Sequence, residues 1–98
     1  MSACIEVVTF KLKSGADIDR FVESAQHLNA ILPQVEGFRK RQLAYDAEST
    51  TWIDIVNWSS IETAREASQK VMESDECSLM FQMIDESSVK MHHFSVKC

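Results

Sequence analysis

Two periodicities alternate along this chain, and their order restricts the fold. Apolar residues recur at strand spacing, then helix spacing, then twice at strand spacing, then at helix spacing, and again at strand spacing. The first strand is read over residues 4–12, CIEVVTFKL, rich in β-branched and aromatic residues. Cys4, Glu6, Val8, Phe10 and Leu12 fall on one side of it, and Ile5, Val7, Thr9 and Lys11 on the other. Neither side is cleanly polar, so both are expected to be covered.

Asp17 has the character of an N-cap for a first helix running to about Leu32. Its apolar stripe is Ile18, Phe21, Val22, Ala25, Leu28 and Leu32. Pro33 ends that helix, and Gly37 supplies the turn into a second strand over Phe38–Tyr45. A polar hairpin turn, Asp46–Thr51, leads to a third strand over Trp52–Trp58. Ser59 and Glu62 have the spacing of a capping box that opens a second helix. A short further helix is read over Glu76–Ile84, and a last strand over Val89–Lys97.

Strand–helix–strand–strand–helix–strand with a right-handed crossover gives the spatial order four, one, three, two. This is the ferredoxin-like βαββαβ sandwich of the α+β class, one domain over residues 1–98, its antiparallel four-stranded sheet carrying helices on one face. The uncovered face keeps aliphatic side chains from the first and third strands. Exposed apolar area of that size marks an interface. A homodimer closing two sheets face to face is expected.

Composition narrows the function classes. Ninety-eight residues with a net charge of −5 hold no basic cluster larger than Lys11–Lys13 or Arg39–Arg41, which disfavours nucleic acid as a partner. No apolar run approaches membrane-spanning length and no signal-peptide pattern opens the chain, so a cytoplasmic setting is expected. Cys4, Cys77 and Cys98 are odd in number and lack CxxC spacing, against a disulfide framework or zinc site. His92 and His93 are adjacent on a strand and point to opposite faces, so together they hold no metal. With only Gly15 and Gly37, the chain has no glycine-rich phosphate loop.

Two constellations remain as candidates for chemistry. Glu6, Asp54 and one of His92 or His93 lie on strands that are neighbours in the expected order, and could meet on one sheet face as a general acid–base group. The simpler account is that they satisfy one another at a sheet edge or dimer contact. The second group is Trp52, Trp58, Met72, Met80, Phe81, Met83 and Met91, from which Trp58, Met80 and Met83 would line an apolar pocket for a flat ligand. A filled core needs the same residues at the same spacing. Tyr45, Arg39 and Arg41 share one side of the second strand and would hold an anionic ligand, though charges on an edge strand more often block aggregation.

VVTFKLKSG, EGF after the first helix, DIVNWSS before the second and MHHF in the last strand together resemble the antibiotic-biosynthesis-monooxygenase-like proteins of the dimeric α+β barrel superfamily. The resemblance spans nearly the whole chain. It implies a homodimeric barrel and a small aromatic or quinone-like ligand, with cofactor-independent oxygenase activity as one outcome and a non-catalytic ligand-binding or stress-associated dimer as the other. No cofactor is implied. Trp58 matches the tryptophan that lines the cavity in the family's oxygenases and haem degraders. Val8 stands where the haem degraders carry an asparagine, and no histidine lies between His27 and His92, so the resemblance does not extend to haem degradation.

Overall fold

The computed structural model describes residues 2–98, the side chain of Glu76 excepted. Its elements are β1 (Cys4–Leu12), α1 (Ile18–Gln26), α2 (Leu28–Ile31), a 3-10 turn (Leu32–Gln34), β2 (Phe38–Asp46), β3 (Thr51–Trp58), α3 (Ile61–Met72), α4 (Asp75–Gln82) and β4 (Ile84–Ser95). The sheet order is β2-β3-β1-β4, every neighbouring pair antiparallel. That is the ferredoxin-like α+β arrangement the sequence pattern predicts.

The core lies between the helices and one sheet face. Cys4, Phe10, Trp52, Val56 and Trp58 supply the sheet side, and Phe21, Ala25, Leu28, Ala64, Ala67, Cys77 and Met80 the helical side, all buried. At one end the rings interlock. Phe21 meets Trp52 edge-on at 4.9 Å and Phe10 at 5.7 Å, while Tyr45 tilts over Trp52 at 4.5 Å. Such pairs add about 0.5–1.5 kcal/mol each beyond the area they bury.

Several local features differ from the sequence reading. The first helix is not continuous to Leu32: α1 stops at Gln26, and α2 begins after a turn at His27. The Ala25 carbonyl, which would accept from the Asn29 N–H in an unbroken helix, instead accepts from Arg41 Nη1 at 2.8 Å. The capping box of α3 is Ser60 with Thr63, one residue later than expected. Ser59 is held back because its N–H donates to the Gly37 carbonyl at 2.8 Å, tying it to the start of β2.

The helix expected to reach Ile84 ends at Gln82, since Ile84 pairs with Leu12 and already belongs to β4. β4 therefore starts before Val89, and it ends at Ser95 rather than Lys97. It also carries a bulge: Lys11 pairs with Asp85 and Thr9 with Lys90, so residues 86–89 stand opposite Phe10 alone. The Ser88 hydroxyl bridges that gap by accepting from the Lys11 N–H at 2.7 Å and donating to the Asp85 carbonyl at 2.6 Å.

Candidate functional site

Antiparallel register decides which polar side chains meet. Across the helix-facing side one row reads Arg41, Val56, Glu6 and His93, each directly opposite its neighbour. Directly opposed side chains are close enough for a carboxylate and an imidazole to touch. His93 Nε2 lies 3.0 Å from Glu6 Oε1. From above, the Ser68 hydroxyl of α3 donates to the same oxygen at 3.3 Å. Glu6 is buried, at 8% exposure, and His93 is half-buried. The carboxylate can only accept, so the neutral imidazole presents Nε2–H to it and leaves the Nδ1 lone pair free. In that arrangement the carboxylate fixes the tautomer of the neutral imidazole.

Asp54 does not join that pair. It accepts from Arg41 in a fork, Nε to Oδ1 at 2.9 Å and Nη2 to Oδ2 at 2.7 Å, and Arg41 also donates to Ala25 O and, at 3.3 Å, to Asn29 Oδ1. The Arg41 side chain is 4% exposed. A guanidinium so placed answers an orphan carbonyl at the C-terminal end of α1 and sets a positive charge where the helix dipole favours one. His92 lies on the opposite side of the sheet, paired with Val7 and stacked on Phe94 at 5.5 Å. Arg39 does not share a side with Arg41 and Tyr45, because β2 shifts register between Phe38 and Lys40 and leaves Arg39 exposed at the irregularity.

Trp58 is 2% exposed, with Phe38 edge-on at 5.8 Å, and its indole N–H has no hydrogen-bond partner among the described residues. A buried donor without an acceptor costs about 1–3 kcal/mol, so it is the polar atom here that gains most from an incoming acceptor. Cys4, directly opposite Trp58, has its thiol pushed up first by burial and then by the Glu6 charge, with Arg65 opposing both. Met80 is buried and Met83 half-buried in the core, and Tyr45 is 40% exposed beside Trp52.

A cavity of about 210 Å³ opens between α1 and β2, walled by Val22, Ala25, Gln26, Asn29, Arg41 and Leu43. Glu6, His93 and Trp58 are not among its walls. Among the described residues no cluster of three His, Cys, Asp or Glu side chains is arranged to hold a metal ion. No described helix is long and apolar enough to cross a membrane.

Solved structures share this architecture over nearly the full chain. A variant of SnoaB, a cofactor-independent oxygenase from Streptomyces nogalater, superposes with a TM-score of 0.81 at 12% identity, covering 100% of this chain and 96% of that one. A provisionally assigned antibiotic biosynthesis monooxygenase from Bordetella bronchiseptica gives 0.77 at 13% identity with 100% of both chains covered. The corresponding protein from Nitrosomonas europaea gives 0.73 at 13%, covering 97% of this chain and 90% of that one. The chain has the fold of the antibiotic-biosynthesis-monooxygenase-like proteins. No family model matches its sequence, and neither does any curated protein. The likeness at these identities is one of fold, and chemistry has to be argued from the side chains.

Asp54 and Arg41 form the pairing that sequence reasoning missed. The two lie on adjacent strands, offset by one cross-strand pair, since Arg41 is opposite Val56 and Leu43 opposite Asp54. The signal is an Arg and an Asp on neighbouring apolar strands of a hairpin, each with no other obvious partner. Reading it requires the register, and the irregularity after Phe38 shifts that register by one residue.

Proposed function

We propose that the chain is a homodimeric, cofactor-independent oxygenase for a small aromatic or quinone-like molecule, with Glu6 and His93 handling the substrate proton. The observation that carries this reading is the 3.0 Å contact between the buried Glu6 carboxylate and His93 Nε2 on the helix-facing side. His93 Nδ1 removes a proton from a doubly benzylic methylene, and the Glu6 carboxylate stabilises the imidazolium that results. The substrate carbanion gives its electrons to dioxygen and a carbon–oxygen bond forms. Loss of the second methylene proton then breaks the O–O bond, leaving a ketone and one water. The unpartnered Trp58 indole N–H is the donor that a substrate oxygen would take up.

Support for the dimer comes from the uncovered sheet face, where Ile5, Val7, Ile53 and Ile55 lie side by side and Phe94 is 52% exposed. A second reading is favoured by the cavity itself, which opens beside Arg41 and is not walled by Glu6 or His93. In that reading the dimer binds a small ligand beside Arg41 without proton chemistry.

One assay separates them. Oxygen uptake and quinone absorbance are followed with anthrone, the simplest ketone bearing the required methylene, against the uncatalysed rate. The oxygenase reading expects turnover that falls by about 10²–10⁴-fold in Glu6→Gln and His93→Asn. No turnover above background, or turnover indifferent to both substitutions, overturns it. Ligand binding that survives both substitutions with no product formed would establish the second reading.

A further inference from the structure

The two oxygens of Glu6 are treated differently by their surroundings. His93 Nε2 at 3.0 Å and the Ser68 hydroxyl at 3.3 Å both fall on Oε1. A carboxylate oxygen offers two lone pairs, so these two donors fill it. Oε2 receives no hydrogen bond among the described residues. It is not sealed in either. Among those residues the Trp58 indole nitrogen is the side-chain N or O atom that is both fully buried and unpartnered. Oε2 therefore shares in the 11% of the Glu6 side chain that stays accessible. Its donors come from two separate elements, Ser68 from α3 and His93 from β4. Turning the carboxylate about its last bond would break both contacts, so Oε2 is held facing away from them.

Oxidation of a methylene to a ketone removes two protons from one carbon, and the second leaves as the O–O bond breaks. That step needs an acid at the distal oxygen and a base at the carbon together. After the first transfer His93 is an imidazolium, which can supply the acid and is no longer a base. Asp54 is committed to Arg41 in a fork. The Glu6 carboxylate, joined to His93 by the 3.0 Å contact, keeps an oxygen whose lone pairs are unused.

We propose that Glu6 Oε2 is the second base, taking the remaining methylene proton, while Ser68 holds the carboxylate in place through Oε1. The inference rests on the oxygenase reading and divides its two proton transfers between two residues. The C–H electron pair becomes the second bond of the ketone, and the O–O pair leaves with the distal oxygen. The His93 imidazolium gives that oxygen its proton, so hydroxide departs. Hydroxide then takes the proton from Glu6, which yields water and restores both side chains. Ser68 acts only through Glu6 and is a positioning residue.

Single turnover of anthrone, with the full chain in excess, tests it. Oxygen uptake, quinone absorbance and hydroperoxide, titrated with ferrous ion, are followed together. In the wild type quinone should keep pace with oxygen. Ser68→Ala leaves the carboxylate on one anchor, and the ratio of hydroperoxide to quinone should rise by about tenfold. Ser68→Thr keeps the hydroxyl and should bring the ratio back. In Glu6→Gln uptake slows as well, and the oxygen that is consumed should end as hydroperoxide, because an amide takes no proton. Circular dichroism checks that each variant is folded. Quinone in step with oxygen in either Ser68→Ala or Glu6→Gln overturns the division of labour and leaves the oxygenase reading standing. Uptake by the wild type no faster than background removes both.

Discussion

Replacing Asp54 with alanine should be the most damaging polar deletion in this chain. Arg41 has a side chain 4% exposed, against 16% for Asp54. Removing the carboxylate leaves a buried cation whose Nε–H and Nη2–H have lost their acceptor. Breaking a buried pair from one side costs about 3–5 kcal/mol. The cavity of about 210 Å³ beside Arg41 gives water a way to the guanidinium and places the expected loss near the lower end, about 3 kcal/mol. For a domain of this length that is a fall in Tm of about 12–15 °C. Arg41→Leu should cost less, about 2 kcal/mol, because Asp54 can hydrate more readily and the main residue of damage is the abandoned Ala25 carbonyl.

The decisive variant carries both changes, Arg41→Leu with Asp54→Leu. With no charge left to strand but the Ala25 carbonyl still abandoned, it should cost no more than Arg41→Leu, about 2 kcal/mol or less, and be more stable than Asp54→Ala. Urea unfolding followed by the fluorescence of Trp52 and Trp58, both buried, reads all four proteins at one fixed concentration. A loss below about 1 kcal/mol for Asp54→Ala, or a double variant weaker than the single ones, would refute the argument that the ion pair is costly to break rather than costly to replace.

The two glycines should behave differently although both have positive φ. A Cβ on Gly37 would overlap the Thr63 side chain and the Ser59 hydroxyl, so Gly37→Ala should cost about 2 kcal/mol or more. Gly15→Ala meets open space and should cost only its backbone conformation, about 1 kcal/mol, by the same urea assay. The Asp46 carboxyl is held below its ordinary pKa, chiefly by the Ser49 hydroxyl and then by the Glu48 N–H. Its contribution is therefore present above the unfolded value of about 3.9 and fades as pH falls through the lower folded value. Asp46→Asn should flatten that part of the acid limb, and a steeper limb in a pH series of unfolding curves would contradict the assignment. Ser60→Ala removes the side-chain acceptor for Thr63 N–H at the start of α3 and should cost about 1 kcal/mol, against a negligible loss for Ser68→Ala in helix stability.

The fold was legible because the elements announce themselves locally. Strand and helix periods, Asp17, Pro33 and Gly37 each act within a few residues, and the sheet order follows from connection rules. The site was only half legible. That Glu6 would meet a residue of the last strand was readable from topology, whereas the choice of His93 over His92 depends on the Glu6↔His93 register. Asp54 was grouped with Glu6 by face, and only the side-chain reach of Arg41 separates them. The break after α1 was illegible for the same reason. Nothing near His27 in sequence announces it, and the group that competes for the Ala25 carbonyl lies on β2.

The bulge in β4 has a bearing on how this chain tolerates change. Strand faces alternate with every residue, so an inserted or deleted residue in a regular strand exchanges inside for outside along everything downstream. Here the ladder is fastened on both sides of residues 86–89, by Lys11↔Asp85 before and Thr9↔Lys90 after. A residue gained or lost within that slack is absorbed where it occurs. The stretch from Lys90 to Ser95 keeps its phase, and His93 keeps its place against Glu6. The slack works as an expansion joint, letting the connection from α4 vary in length without turning the imidazole to the other side of the sheet.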